Sequence, residues 1–210
     1  MARKTAGKPV TSNAWQWGRT AETQRVLLQA AREVFSEQGF AEANVADIVE
    51  RAGSSVGSLY HHFGGKTELF LALWEEHQGA HERNAISAVA KARSAGEEDS
   101  LELFIVGARA YLQGSWQRRD LARLFMNGDG PPGFEQIRRT RGREWIRQNN
   151  VLLRTSNTAV NRFTVSVLTT LIGEAGREIA MSPSKREANK ITEAAVRYIR
   201  RLDPLHPEVE

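Results

Sequence analysis

His77 and His81 stand four residues apart, with Glu76 and Glu82 beside them. That spacing puts both rings on one face of a helix, where they can hold a transition metal. No third ligand stands at a telling distance, and His77 continues the line set by Leu73, so a packing role is the first expectation. A metal-responsive role for His77 and His81 is the alternative. Arg138, Arg139, Arg141, Arg143, Arg147 and Arg154 form a second group, suited to an acidic effector or a nucleic acid. Glu135 and Glu144 can neutralise some of them, which favours a solvated face. The chain has no cysteine, which excludes disulfides, thiolate metal sites and a thiol nucleophile. It shows no P-loop, no G-x-S-x-G, no H-E-x-x-H and no framed pair of carboxylates. An enzyme is therefore not expected, and neither a cofactor nor a metal is implied.

The elements that must carry these groups are helical. The chain has 210 residues, of which 40% are apolar and 26% charged, an ordinary globular balance. No apolar run approaches the ~18 residues that span a bilayer, and no signal-peptide core stands at the N-terminus, so a cytoplasmic protein is expected. Net charge is +4, and it is unevenly placed. Arg3, Lys4, Lys8, Arg19 and Arg25 face only Glu22 in the first 25 residues, while the rest carries 24 charges of each sign. Residues 1–20, broken by Gly7, Pro9 and Gly18, read as a flexible basic arm, with Trp15 and Trp17 packing on the body. Apolar residues then recur at helical spacing almost throughout, with breaks at Gly39, Gly53, Gly64-Gly65, 94–99, 127–133 and Ser182-Pro183. The expected fold is all-α: a three-helix N-terminal domain over 21–66, a helical bundle over 67–204 and a tail over 205–210.

Two of the early helices are short. Asn44 can cap one that carries Val45, Ile48 and Val49, and Ser55 one that ends near Phe63. The tight Ala52-Gly53-Ser54 link gives them helix-turn-helix proportions. Such a pair braces one helix on the DNA backbone and projects the other into a groove about 12 Å wide. Small residues suit the leading end of the second helix, and Val56, Gly57 and Ser58 stand there. Leu59 and Phe63 can turn inward while Tyr60, His61 and His62 turn out.

The run Val45-Ala-Asp-Ile48, Ala52-Gly53-Ser-Ser55-Val-Gly57-Ser-Leu59-Tyr60-His-His62-Phe63-Gly-Gly-Lys66-Thr-Glu68-Leu69, together with Ala30-Ala31-Arg-Glu-Val-Phe35 upstream, resembles the DNA-binding region of TetR-family transcriptional regulators. The resemblance covers about residues 20–75. It departs at Asn44, where Thr or Ser is usual, at Ser54, where an apolar turn residue is usual, and at Val49, usually Ala. It implies a helix-turn-helix domain followed by a ligand-binding and dimerisation bundle. Tyr60, His62 and Lys66 would then contact phosphate, Asn44 and Ser55 would bind phosphate through their caps, and Val56, Ser58 and His61 would read bases, with Gly57 allowing close approach. The implied partners are a palindromic double-stranded operator, a small-molecule effector and a second copy of the chain through the last two helices, where Gly173, Ala175 and Gly176 permit close approach. Phe104, Tyr111, Trp116, Phe125, Met126, Trp145 and Phe163 are the aromatic and thioether candidates for the effector cavity.

Overall fold

The computed structural model describes residues 12–202, with side chains from residue 20 onward. The expected charges at Arg3, Lys4, Lys8 and Arg19, the side chains of Trp15 and Trp17, and the tail over 205–210 lie outside those residues. Nine helices make up the described chain: α1 Ser12–Glu42, α2 Val45–Arg51, α3 Val56–Phe63, α4 Lys66–Ser94, α5 Ser100–Gln117, α6 Arg119–Met126, α7 Phe134–Leu152, α8 Ala159–Met181 and α9 Lys185–Arg201. The backbone from Ser12 to Arg19 is helical, which corrects the expected arm of 1–20 in its second half. The physical reason is that Gly18 is the sole poor helix former in that stretch, and one glycine costs a helix only about 1 kcal/mol. The chain divides into two compact units between Leu73 and Trp74, inside α4 and seven residues beyond the expected boundary.

The first unit closes on an apolar centre. Leu27, Ala31, Val34 and Phe35 of α1 are fully buried, as are Ile48 of α2, Leu59 of α3 and Leu69 and Phe70 of α4. Phe35, Phe40 and Phe70 pack ring to ring at 5.0–6.0 Å. Gly39 breaks α1 with φ 82°, a conformation open to glycine, so the chain turns where the sequence predicts a cap. The α2–α3 turn closes on backbone bonds alone. Gly53 takes φ 58°, and the Ser54 N–H donates to Val49 O at 2.9 Å. The unusual Ser54 side chain is therefore not needed to hold it.

In the second unit α5, α8 and α9 share one core, built from Phe104, Ile105 and Leu112, from Val165, Leu168, Ile172 and Ile179, and from Val196 and Ile199. Asp99, Thr158 and Ser184 cap the three helices by accepting from Glu102, Asn161 and Glu187 N–H groups. Gly176 is where α5 and α8 come closest: a Cβ there would lie 2.9 Å from the Tyr111 ring and 3.1 Å from Ser115 Oγ. Ala175 is also buried in this core. Ala175 and Gly176 thus serve packing within one chain, while Gly173 has nothing within 4 Å of where a Cβ would stand. The long helix α7 is held differently, since Phe134 is its sole buried residue.

Candidate nucleic-acid interface and cavity

The two short helices are set by their caps. Asn44 Oδ1 accepts the Asp47 N–H at 2.9 Å, and Asn44 Nδ2 donates to the Asp47 carboxylate at 2.7 Å. Ser55 Oγ accepts the Ser58 N–H at 3.1 Å. Arg51 fastens α2 to α1 by donating to Glu37 at 2.7 Å, with Glu33 at 3.9 Å. Gly64, left-handed at φ 95°, ends α3.

On α3 the expected residues separate by position. Successive residues rotate by about 100°. Val56, Gly57, Tyr60 and His61 therefore share one face, and all four are exposed, Tyr60 at 54%. Leu59 points away from that face and is fully buried. Ser58 and His62 lie on the flank and are half-buried. The absent Gly57 side chain leaves open space, with nothing within 4 Å of where a Cβ would stand. The result is a thin face flanked by two imidazoles, whose rings meet edge to face at 5.0 Å.

Lys66 is placed otherwise than expected. Its ammonium donates to the carbonyls of Phe40, Ala41 and Ala43 at 2.8, 3.2 and 2.7 Å, and it sits 4.6 Å from the Phe40 ring centroid. Those carbonyls belong to the broken end of α1 and the link after it. A helix end leaves such acceptors unmatched, and an ammonium has three donors to offer. All three are taken up here, so in this geometry Lys66 braces the end of α1.

The second unit holds a cavity of about 1030 Å³ between α4, α5, α7 and α8. Of the seven expected residues, Phe104, Tyr111 and Trp145 line it. Trp116, Phe125, Met126 and Phe163 do not. Phe125 is taken up by rings of Trp74, His77 and Phe134 at 5.2–5.9 Å. Trp116 carries the Arg119 guanidinium at 4.4 Å. Met126 is half-buried where α6 ends, and Phe163 is 70% exposed on the outer side of α8. Missed were Trp74, Gln78 and Val89 of α4; of the arginines expected on a solvated face, Arg138, Arg139, Arg141 and Arg143 of α7 form one edge. The continuing apolar spacing of α4 beyond Leu73 pointed to the first group.

His77 and His81 are buried at 4% and 2% exposure, with rings edge to face at 4.6 Å. His81 also packs on Tyr111 at 4.5 Å. Its room comes from Gly114, whose Cβ would stand 3.0 Å from His81 Nδ1. Burial first, then the nearby Arg118 charge, lowers the His81 pKa to about 4. A neutral imidazole inside an aromatic cluster is a packing residue. Among the described residues no third metal-ligating group joins the pair.

Two capped short helices presenting a thin exposed face, joined in one chain to a helical unit with its own cavity, have the arrangement of a helix-turn-helix domain followed by a helical bundle. Residues 27–73 match the family model for bacterial regulatory proteins of the tetR family. Over this stretch the chain is similar to TetR-family regulators. It is 38% identical over 76 residues to the HTH-type transcriptional repressor AcnR of Corynebacterium efficiens, over 36% of this chain and 35% of that protein. It is 45% identical over 56 residues to the HTH-type transcriptional activator FasR of Mycolicibacterium smegmatis, over 27% and 26%. The matched stretch thus spans about a third or less of these curated relatives. The fold extends further. A TetR-family transcriptional regulator from Pectobacterium atrosepticum superposes with a TM-score of 0.56 at 25% identity, covering 88% of this chain and 94% of its own. A transcriptional regulator of Aquifex aeolicus shares the fold with a TM-score of 0.60 at 19% identity, over 86% and 99%.

Proposed function

We propose that this chain is a homodimeric, sequence-specific DNA-binding repressor, released from a palindromic operator by a small molecule that enters the cavity of its second unit. The observation that carries the reading is the α3 face: Val56, Gly57, Tyr60 and His61 stand exposed on a helix whose opposite residue, Leu59, is fully buried. A short apolar side chain, a bare backbone and two polar rings suit a major groove, where a thymine methyl and base-edge acceptors are within reach. Tyr60 and His62 would hold phosphate, with Asn44 and Ser55 ordering the helix starts beneath it. Ser58 would read from the flank. The relatives named as transcriptional repressors support the sign of regulation. TetR-family regulators act by binding DNA, which leaves the enzyme alternative without support. Nothing favours the metal alternative at His77 and His81 either.

A second copy is called for by α8 and α9. Val160, Phe163 and Val167 form an exposed apolar stripe on α8, and Tyr198 and Leu202 are exposed at the end of α9. Burying such a patch against its own copy is the usual way to remove it from water. Effector action would be a population shift, requiring the ligand to bind the DNA-competent and DNA-incompetent states unequally. Helix α4 is the natural lever, because it carries Lys66 of the first unit and the cavity residues Trp74, Gln78 and Glu82 of the second. Among the described residues no helix is long and apolar enough to cross a membrane, and a cytoplasmic location is part of the same proposal.

Selection of bound duplexes from random DNA tests the reading. The expected outcome is a palindrome with half-sites one turn apart, roughly 34–36 Å. Failure to enrich any sequence at moderate salt would refute it.

A further inference from the structure

We propose that the cavity selects an amphipathic anion: an aromatic or long aliphatic body carrying a carboxylate, sulfonate or phosphate head. This rests on the reading of the cavity as the effector site and adds the chemistry it recognises. The cavity has two unlike sides. One is apolar, formed by Trp74 and Val89 of α4, Phe104 and Ala108 of α5 and Ile172 of α8. The other is the first half of α7, which presents Arg138, Arg139, Arg141 and Arg143 to the same space, while its second half adds Trp145, Ile146 and Leu152 to the apolar lining.

The charges of that edge are paired unequally: Arg138 and Arg139 share one carboxylate, whereas Arg141 has two. Five arginines line the cavity, counting Arg93, against two glutamates, Glu82 and Glu135. Glu135 is shared between Arg138 and Arg139, each at 3.3 Å. Glu82 already accepts from Gln148 at 2.8 Å. Arg141 is held by Glu75 at 2.6 Å and by Glu144 at 3.2 Å, and Arg143 donates to Thr140 Oγ1 at 3.2 Å. Arg139 extends into water at 75% exposure, yet the Arg138 and Arg141 side chains are only 25% and 24% exposed. Partly desolvated guanidinium groups beside apolar walls attract an anion more strongly than exposed ones do, and their planar forks fit carboxylate, sulfonate and phosphate oxygens. The same surplus disfavours a cation.

Room for the ligand is provided by two glycines. Gly142 stands between Arg141 and Arg143 on α7, and Gly173 lies on α8; both line the cavity, and neither would bring a Cβ within 4 Å of another group. Any side chain at these positions would project into space the ligand needs.

Two fluorescent probes that share one aromatic body separate the contributions: 8-anilino-1-naphthalenesulfonate, and the same body without its sulfonate, N-phenyl-1-naphthylamine. Titrated into the full-length protein at low salt, the sulfonate is expected to bind at least about 10-fold more tightly, the scale of one charge-assisted hydrogen bond. Arg138→Gln combined with Arg143→Gln should bring the two affinities together by weakening the sulfonate alone. Gly173→Trp, and independently Gly142→Trp from the facing wall, should abolish both. Equal affinities in the wild-type protein would overturn the anion preference while leaving the cavity as an effector site. Sulfonate binding that survives both tryptophan variants would place the probe elsewhere and overturn the proposal. Operator binding, measured separately without probe, reports on the DNA-binding reading and is unaffected by either failure.

Discussion

Replacing Lys66 by methionine separates a brace from a phosphate ligand. Methionine keeps an apolar stem near the Phe40 ring and removes the three donors. Two of the three bonds, to Phe40 O and Ala43 O, are part-buried; the third, to Ala41 O, is exposed and can pass to water. A net hydrogen bond involving a charged group contributes about 1.5–3 kcal/mol. Two such bonds, less about 1 kcal/mol of side-chain freedom regained, give a loss of about 3 kcal/mol. Urea unfolding followed by circular dichroism reads that loss. Binding to a random duplex, measured by anisotropy across a salt series, reads the other role. A lysine on phosphate contributes about 0.9 to the slope of log K against log salt, so two copies in a dimer would contribute about 1.8. The bracing geometry predicts lower stability with an unchanged slope at temperatures where the variant is folded. Unchanged stability with a slope smaller by about 1.8 would refute it.

Gly57→Leu should leave the fold intact, because its Cβ meets nothing, and should raise helix propensity by about 1 kcal/mol, yet abolish operator binding; thermal melting and anisotropy give the two readings. Phe163→Asp should turn the dimer into a monomer by sedimentation without unfolding the second unit, since Phe163 is 70% exposed within one chain; a variant that stays dimeric would move the interface elsewhere. For His81, a base whose folded pKa is lowered to about 4, stability is whole above its ordinary value near 6.5 and falls as pH drops from there toward 4, because only the unfolded state takes up the proton. Urea unfolding at pH 7.5 and pH 4 should differ by a component of about 3 kcal/mol that His81→Leu removes.

The helix-turn-helix pair was legible because short-range chemistry dictates it. Asn44, Gly53, Ser55 and Gly64 act through bonds that reach three to five residues along the chain, and each stands where the sequence predicts a cap or a turn. Lys66 was not legible in the same way. Its partners lie 23–26 residues upstream, and the type of residue is equally suited to phosphate and to carbonyls. Only the fold, by bringing the broken end of α1 to the start of α4, chooses between them.

The cavity shows the same limit in a sharper form. Helix α8 is apolar on more than one side, so spacing alone joins Phe163 and Val167 to Leu168 and Ile172 as a single stripe. The structure divides them: Val165, Leu168 and Ile172 pack on α5 and α9, while Phe163 and Val167 face out. A helix with one apolar face needs one partner surface, and α8 carries apolar residues for two. The inward face is covered by the chain's own α5 and α9. For the outward one, an exposed phenylalanine flanked by two valines leaves apolar area in water that full burial would convert into about 1.5–3 kcal/mol per large side chain. Phe163 therefore argues for an association surface where the sequence had suggested a ligand contact. One wall of the ligand space is α7, a helix whose one fully buried residue is Phe134, with Ile146 and Leu152 partly buried against the core and arginines along the cavity. A helix so lightly buried is the wall whose position a bound anion can most readily change.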